Sequence, residues 1–135
     1  MGNLNNGALE RNDSRRVALV TGGSRGIGRA CAVGLAEDGY DIAVVYAGSV
    51  DAARESCEAC EAAGATARAY QCDVAYPDAV NVCVEAVLSD FGSIWALVNN
   101  AGIMDGFEAI GDISDERWDK VFAVNVKGPM YAMRK

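Results

Sequence analysis

The sequence lacks several features that mark particular classes of protein. Its first 14 residues are polar, and no apolar run approaches the roughly 20 residues that span a bilayer. This pattern argues against a secretory signal and a membrane segment, and it predicts a cytoplasmic protein with no membrane partner. Only two of the 135 residues are proline and 51% are hydrophobic, so we expect one packed domain and not a disordered tail.

Basic residues are outnumbered by acidic residues, 12 to 19, and no local cluster of lysine and arginine offsets the resulting negative field. Such a surface repels a phosphate backbone. No nucleic-acid partner is therefore expected.

Histidine is absent, which removes the residue that commonly completes a zinc site beside cysteines. Cys57 and Cys60 form a C-x-x-C pair that would suit a redox couple or half of a zinc site, but residues 51–63 are alanine-rich and typical of a helix. Packing is the favoured interpretation, and no metal site is expected. An odd cysteine count without a signal peptide indicates a reducing compartment. The five cysteines are Cys31, Cys57, Cys60, Cys72 and Cys83.

The chain divides into a polar extension, residues 1–14, and a domain, residues 15–135. Within the domain, short apolar runs alternate with segments of helical character, and glycines end several of them. We expect strands at 17–21, 42–46, 66–71 and 94–98, with helices at 26–38, at 51–63, from Pro77, and from a capping Ser114.

This alternation predicts an α/β fold, a doubly wound parallel sheet of the Rossmann type with strand order 3-2-1-4. Its ligand crevice should lie at the carboxyl ends of strands one and four. The fold is expected to be truncated after the fourth strand and fourth helix, because no fifth strand follows to cover the fourth.

The loop after the first strand has the composition of an anion cradle. Its glycines, in the pattern Gly22-x-x-x-Gly26-x-Gly28, let the backbone approach a pyrophosphate, and the next helix supplies free N–H groups. An ordinary glycine-rich turn is the alternative, although the position between a buried strand and a helix favours the cradle. The candidate cofactor-binding residues here are Thr21, Gly22, Ser24, Arg25, Gly26, Ile27 and Gly28.

The end of the second strand bears on cofactor choice. An NAD site usually has an acidic residue there, but this chain has Tyr46-Ala-Gly-Ser49. Arg25 can pair with a 2′-phosphate, helped by the Ser49 hydroxyl, so NADP(H) is favoured and NAD is the less favoured cofactor. The alternative is that Arg25 is simply a solvated loop residue.

Four motifs occur in one order: Thr21-Gly-x-x-x-Gly-Ile-Gly28, Cys72-Asp-Val74, Asn99-Asn-Ala-Gly102 and Asn125. Together they resemble the short-chain dehydrogenase/reductase family, in particular its 3-oxoacyl-acyl-carrier-protein reductase-like members. The resemblance implies that Asp73 hydrogen-bonds the adenine amino group, that Val74 lines the adenine pocket, and that Asn99, Ala101 and Gly102 lie beside the ribose on the nicotinamide side. A plain turn is the alternative for Asn99 and Asn100.

Asn125 is also notable on physical grounds. In an uninterrupted helix its carbonyl would accept from residue 129, but Pro129 has no N–H, so the carbonyl is free and a kink is expected. The resemblance implies a catalytic role for Asn125, whose main-chain carbonyl would hold a water in a proton relay to a lysine. The alternative is that Gly128-Pro129 ends the helix.

The resemblance implies an NADP(H)-dependent oxidoreductase that reduces a small carbonyl compound or oxidises an alcohol by hydride transfer. The family's catalytic Ser-Tyr-Lys lies further along, and Tyr131-x-x-x-Lys135 is interpreted as a coincidence of spacing. The chain alone is therefore expected to be inactive, as a fragment of a protein that forms a homodimer or homotetramer. The alternative is a non-catalytic nucleotide-binding module or a partner of a full-length homologue.

Overall fold

A computed structural model describes residues 15–135, and the predicted extension, residues 1–14, lies outside the described residues. The elements in chain order are β1 (Val17–Thr21), α1 (Gly26–Glu37), β2 (Asp41–Tyr46), α2 (Val50–Ala62), β3 (Ala67–Gln71), α3 (Pro77–Phe91), β4 (Ala96–Asn99), α4 (Asp115–Phe122), a π-helical segment (Ala123–Lys127) and α5 (Gly128–Arg134).

The four strands form one parallel sheet in the order β3-β2-β1-β4, which confirms the predicted doubly wound topology. In the two central strands every residue is buried, because helices cover both faces of a parallel sheet. The register places Thr21 opposite Val45 on one side and opposite Asn99 on the other. The carboxyl ends of β1, β2 and β4 therefore meet at one edge, where the glycine loop begins.

Alternate residues of the strands supply the two halves of the core. Val20 and Val44 belong to a cluster with Ala32 of α1 and Cys60 of α2. Leu19 lies in the cluster on the other face of the sheet, which includes residues of α3 and the π-helical segment. Because β1 is buried on both faces of the sheet, it fixes the position at which the glycine loop begins.

The fourth strand begins two residues later than predicted, at Ala96 and not at Ile94. Trp95 lies just before the strand: its N–H donates to the Val17 carbonyl at 2.8 Å, and its ring is stacked under Arg16, 4.6 Å from the guanidinium carbon. Trp95 is 64% exposed. The apolar run in the sequence therefore begins before the strand does, because Trp95 packs on the side chain of Arg16 outside the core.

The predicted fourth helix is observed as α4, the π-helical segment and α5. Gly128 donates its N–H to the carbonyl of Ala123, five residues earlier, which is the wide turn of a π-helix. The chain then continues as α5 through Pro129, so Gly128-Pro129 does not end the helical run. Asn125 thus lies within a π-helical segment, and the expected kink and free carbonyl stay predictions.

Candidate functional site

The glycine loop joins β1 to α1 in a conformation that only glycine adopts easily. Gly22 has φ +64° and Gly26 has φ +54°. Gly28 allows a close approach instead, because a Cβ at that position would lie 2.1 Å from the Gly22 carbonyl oxygen. The loop is therefore folded tightly onto the first turn of the helix.

Helix α1 begins without a side-chain cap. Arg25 precedes it and makes no capping hydrogen bond, whereas Ser49 and Ser114 cap α2 and α4. The first N–H groups of α1 therefore have no acceptor from the capping side chain, and a helix start with free donors attracts anions. Ile27, in that first turn, is 76% exposed.

Thr21 and Asn100 fasten the glycine loop to the end of β4. The Thr21 hydroxyl donates to the Val98 carbonyl at 3.3 Å and accepts from the N–H groups of Asn100 and Ala101, each at 3.1 Å. The Asn100 side-chain amide donates to the carbonyls of Thr21 and Gly22, each at 3.1 Å. Asn100 was not among the predicted site residues, and its sequence signal was only the Asn-Asn pair.

Asn99, Ala101 and Gly102 lie at the predicted edge of the sheet. Asn99 is the last residue of β4 and is exposed, as is Gly102, while Ala101 is half-buried. A Cβ on Gly102 would lie 3.4 Å from the side-chain oxygen of Asn125. The structure therefore brings the Asn99–Gly102 motif and Asn125 together, and their role toward a cofactor stays a prediction.

Asn125 holds the loop after β4 through its side chain. The Oδ1 atom accepts from the Ile103 N–H and the Nδ2 atom donates to the Ile103 carbonyl, both at 2.8 Å. The prediction assigned Asn125 a main-chain role only. Its amide side chain adds a positioning role that sequence reasoning missed.

Asp73 and Val74 follow β3. One carboxylate oxygen of Asp73 accepts from the Ala75 N–H at 3.0 Å, which closes a local turn and leaves the other oxygen for a further donor. Val74 is buried, and a Cβ on Gly128 would lie 2.8 Å from its Cγ2 atom. The turn is thereby held against the end of the π-helical segment.

The end of β2 lies beside the glycine loop, where the Gly23 N–H donates to the Val45 carbonyl at 3.0 Å. The Tyr46 side chain is buried in the cluster around α1 and α2. Ser49 Oγ accepts from the Ala52 N–H at 3.2 Å, which caps α2 and leaves the hydroxyl proton for another acceptor. Arg25 is exposed and forms no ion pair within residues 15–135.

Tyr131 and Lys135 do not form a pair in the structure. Lys135 Nζ donates to a carboxylate oxygen of Glu85 on α3 at 3.0 Å, while the Tyr131 ring lies under Arg134. Each side chain has a partner of its own, which fits the interpretation that their spacing is a coincidence.

The C-x-x-C pair lies in α2, where both thiols are buried. Burial, followed by the nearby Cys60 and acidic side chains, raises the pKa of Cys57 to about 12. Burial and then Glu61 raise the pKa of Cys60 to about 11. A raised pKa withholds the thiolate that redox and metal chemistry need. Within the described part of the chain no cluster of metal-ligating side chains occurs.

We expect Cys57 and Cys60 to react with iodoacetamide at pH 8 about 100-fold more slowly than a free thiol, because a pKa raised by two units or more lowers the thiolate fraction that much. The rate should still climb about tenfold per pH unit up to pH 10. Peptide mass spectrometry after timed quenching measures the labelling rate of each thiol, with the urea-unfolded chain as control. Rapid labelling of both thiols in the folded chain would contradict the burial argument.

No helix within residues 15–135 is long and apolar enough to cross a membrane. Residues 16–135 match the family model described as short chain dehydrogenase. The chain belongs to the short-chain dehydrogenase family.

Two relatives show how far the likeness extends. A 3-oxoacyl-acyl-carrier-protein reductase of Staphylococcus epidermidis is 45% identical over 118 residues, which make up 87% of this chain and 48% of the relative. A Burkholderia cenocepacia short chain dehydrogenase in complex with NADP superposes with a TM-score of 0.83 at 42% identity, over 89% of this chain and 48% of that one. This short-chain dehydrogenase sequence thus spans about half the length of the relatives it matches.

A third similar structure is an NAD⁺-bound xylitol dehydrogenase, with a TM-score of 0.84 and 34% identity over 92% of this chain and 47% of that one. Similar structures therefore carry both forms of the dinucleotide. Cofactor preference in this short-chain dehydrogenase therefore depends on its own residues.

Proposed function

We propose that the chain is the cofactor-binding part of an NADP(H)-dependent oxidoreductase that reduces a small carbonyl compound or oxidises an alcohol by hydride transfer. The observation that carries the proposal is the uncapped start of α1 behind the glycine loop. A Cβ on Gly26 would meet nothing within 4 Å, so the loop has open space on that side. Open space beside a helix start that has no side-chain cap fits a pyrophosphate.

The other candidate residues fit the remainder of the dinucleotide. Asp73 keeps one carboxylate oxygen for the adenine amino group, beside Val74, and Asn99, Ala101 and Gly102 lie at the edge expected for the nicotinamide ribose. When bound, the nicotinamide supplies or accepts the hydride. The protein residues bind and orient it, and Asn125 supports them by holding the Ile103 backbone.

The preference for NADP(H) over NAD rests on charge at the end of β2. Residues 46–49 carry no carboxylate that would repel a 2′-phosphate or bind a free 2′-hydroxyl. Arg25 is exposed without an ion-pair partner in the described residues, and the Ser49 hydroxyl keeps its proton to donate. A guanidinium and a hydroxyl suit a dianionic phosphate.

We expect Arg25→Ala to weaken NADPH binding about tenfold while changing the NADH dissociation constant less than about twofold, because one charge-assisted hydrogen bond to the 2′-phosphate is lost. Isothermal titration of both cofactors into the full chain measures this. Arg16→Ala, at the opposite end of β1, is the matched control for lost charge. Equal weakening of both cofactors, or no change, would overturn the assignment of Arg25.

Binding without turnover is the second candidate function for residues 15–135. Lys135 is paired with Glu85 on α3 and the Tyr131 ring lies under Arg134, so these two residues do not form a catalytic pair. NADPH oxidation with small ketones, assayed on a longer protein that contains residues 15–135, distinguishes the two functions, because the chain alone is expected to be inactive under either.

We propose a homodimer or homotetramer for the full-length protein. Trp118 and Phe122 on α4 are 48% and 42% exposed, with ring centroids 5.0 Å apart. Exposed aromatic pairs of this kind are enriched at protein interfaces.

A further inference from the structure

Arg29, on α1, connects three parts of the molecule. Its Nη2 atom donates to the Ser24 carbonyl in the glycine loop at 2.8 Å and to the Ala52 carbonyl in α2 at 3.0 Å. Its Nε atom donates to the Ser56 hydroxyl at 2.8 Å. The side chain is 33% exposed, so these hydrogen bonds are partly shielded from water.

The partners of Arg29 are mostly buried. Ser56 is fully buried and Ser24 is 8% exposed, whereas the Glu55 carboxylate, 3.0 Å from Nη2, is 64% exposed. An exposed ion pair contributes little, so the bridge between the glycine loop and α2 consists of the hydrogen bonds from Arg29 to the two carbonyls and to the Ser56 hydroxyl. Two nitrogens of one planar guanidinium donate to these three acceptors, an arrangement that the single nitrogen of a lysine ammonium cannot reproduce.

The bridge leads on each side to a residue proposed to contact the 2′-phosphate. Ser24 immediately precedes Arg25, and the Ala52 N–H is bound by Ser49 Oγ. A displacement of the glycine loop from α2 would therefore separate Arg25 from Ser49. Two donors bind one phosphate together only while their spacing is maintained.

We propose that Arg29 is a positioning residue that sets the spacing of Arg25 and Ser49 and thereby the preference for the 2′-phosphate of NADPH, an inference that rests on the proposed function. Arg29 itself does not contact the cofactor in this proposal. Its effect is on cofactor preference and is separate from its contribution to stability.

Arg29→Met tests the proposal. In isothermal titrations of the full chain, the ratio of the NADH to the NADPH dissociation constant should fall about tenfold, with NADH binding changed less than about twofold. Arg29→Lys should not restore the ratio, because a single ammonium cannot reach the three acceptors. A merely structural role would instead lower the melting temperature and weaken both cofactors equally.

Four further variants complete the test. Arg16→Met removes the same charge at the opposite end of β1, and Glu55→Gln removes only the exposed ion pair; both should leave the ratio unchanged. Ser56→Ala removes one acceptor of the bridge and should lower the same ratio, but by less than Arg29→Met does. This variant keeps the proposal testable if Arg29→Met does not fold. In the double variant Arg25→Ala/Arg29→Met, the ratio of the NADH to the NADPH dissociation constant should be no lower than in Arg25→Ala alone.

The outcomes separate the two proposals. If the unmodified chain does not prefer NADPH, the proposed function fails, and the inference fails with it. If the unmodified chain prefers NADPH but the Arg29 and Ser56 variants keep its ratio, the positioning role is overturned and the proposed function stands. Additive losses in the double variant would overturn the positioning role as well, because they would show that Arg29 acts independently of Arg25.

Discussion

Replacing Gly28 by alanine is expected to have the largest effect on the site, because the added Cβ has no room. It would lie 2.1 Å from the Gly22 carbonyl oxygen and 2.5 Å from the Asn100 amide nitrogen. The first obstacle is backbone, so a rotamer change cannot relieve it. We expect about 3 kcal/mol less free energy of unfolding and at least about 100-fold weaker NADPH binding, measured by urea denaturation and isothermal titration.

Gly34→Ala is the matched control for this prediction. Gly34 lies in the same helix, and a Cβ there would meet nothing within 4 Å. Alanine is the better helix former, so this variant should be more stable by up to about 1 kcal/mol and should bind NADPH normally. Loss of binding in both variants would contradict the close approach at Gly28 as the cause.

Replacing Asp41 by alanine is expected to have the largest effect on stability alone. The carboxylate is 3% exposed; it accepts from Arg15 Nε at 3.0 Å and from the Thr66 N–H at 2.8 Å. Its removal leaves a half-buried guanidinium and a backbone N–H without this acceptor. We expect a loss of about 3 kcal/mol in the free energy of unfolding, measured by urea denaturation.

Asp41 opens β2 at the amino end of the sheet, away from the glycine loop, so the ratio of the NADH to the NADPH dissociation constant should not change in the folded variant. The control is Asp51→Ala, since Asp51 is exposed and pairs with Arg54 within one turn of α2. That variant should lose no more than about 0.5 kcal/mol. Similar losses from both substitutions would contradict the argument that burial makes the Asp41 contacts strong.

The strands of this chain could be predicted well wherever burial alone defines them. β1 and β2 are buried at every position, so an unbroken apolar run marks their ends closely. β4 was harder because its residues are only half-buried or exposed and because Trp95, just before it, is apolar without belonging to the ladder. Hydrophobicity does not distinguish a residue that pairs in a sheet from one that packs on an arginine outside it.

The cofactor loop could be placed from local pattern, but the side chains that fasten it could not. Asn99 and Asn100 are adjacent, and successive residues of a strand point to opposite faces, so the choice between them depends on the exact end of β4. The structure selects Asn100, through hydrogen bonds to Thr21 and Gly22. Ser49 was predicted as a phosphate ligand, and its role as the cap of α2 was missed although a serine before a helix is a common signal.

The alternation of strands and helices, the glycine loop and the family motifs could all be predicted from the order of residues, because each depends on residues close together in the chain. The side chains that hold that loop in place became visible only in the folded structure. Asn100 reaches Thr21 across 79 residues, Arg29 reaches Ser56 across 27, and Asn125 reaches Ile103 across 22. Contacts over such separations depend on how the strands and helices pack, and the local order of residues carries no record of that packing.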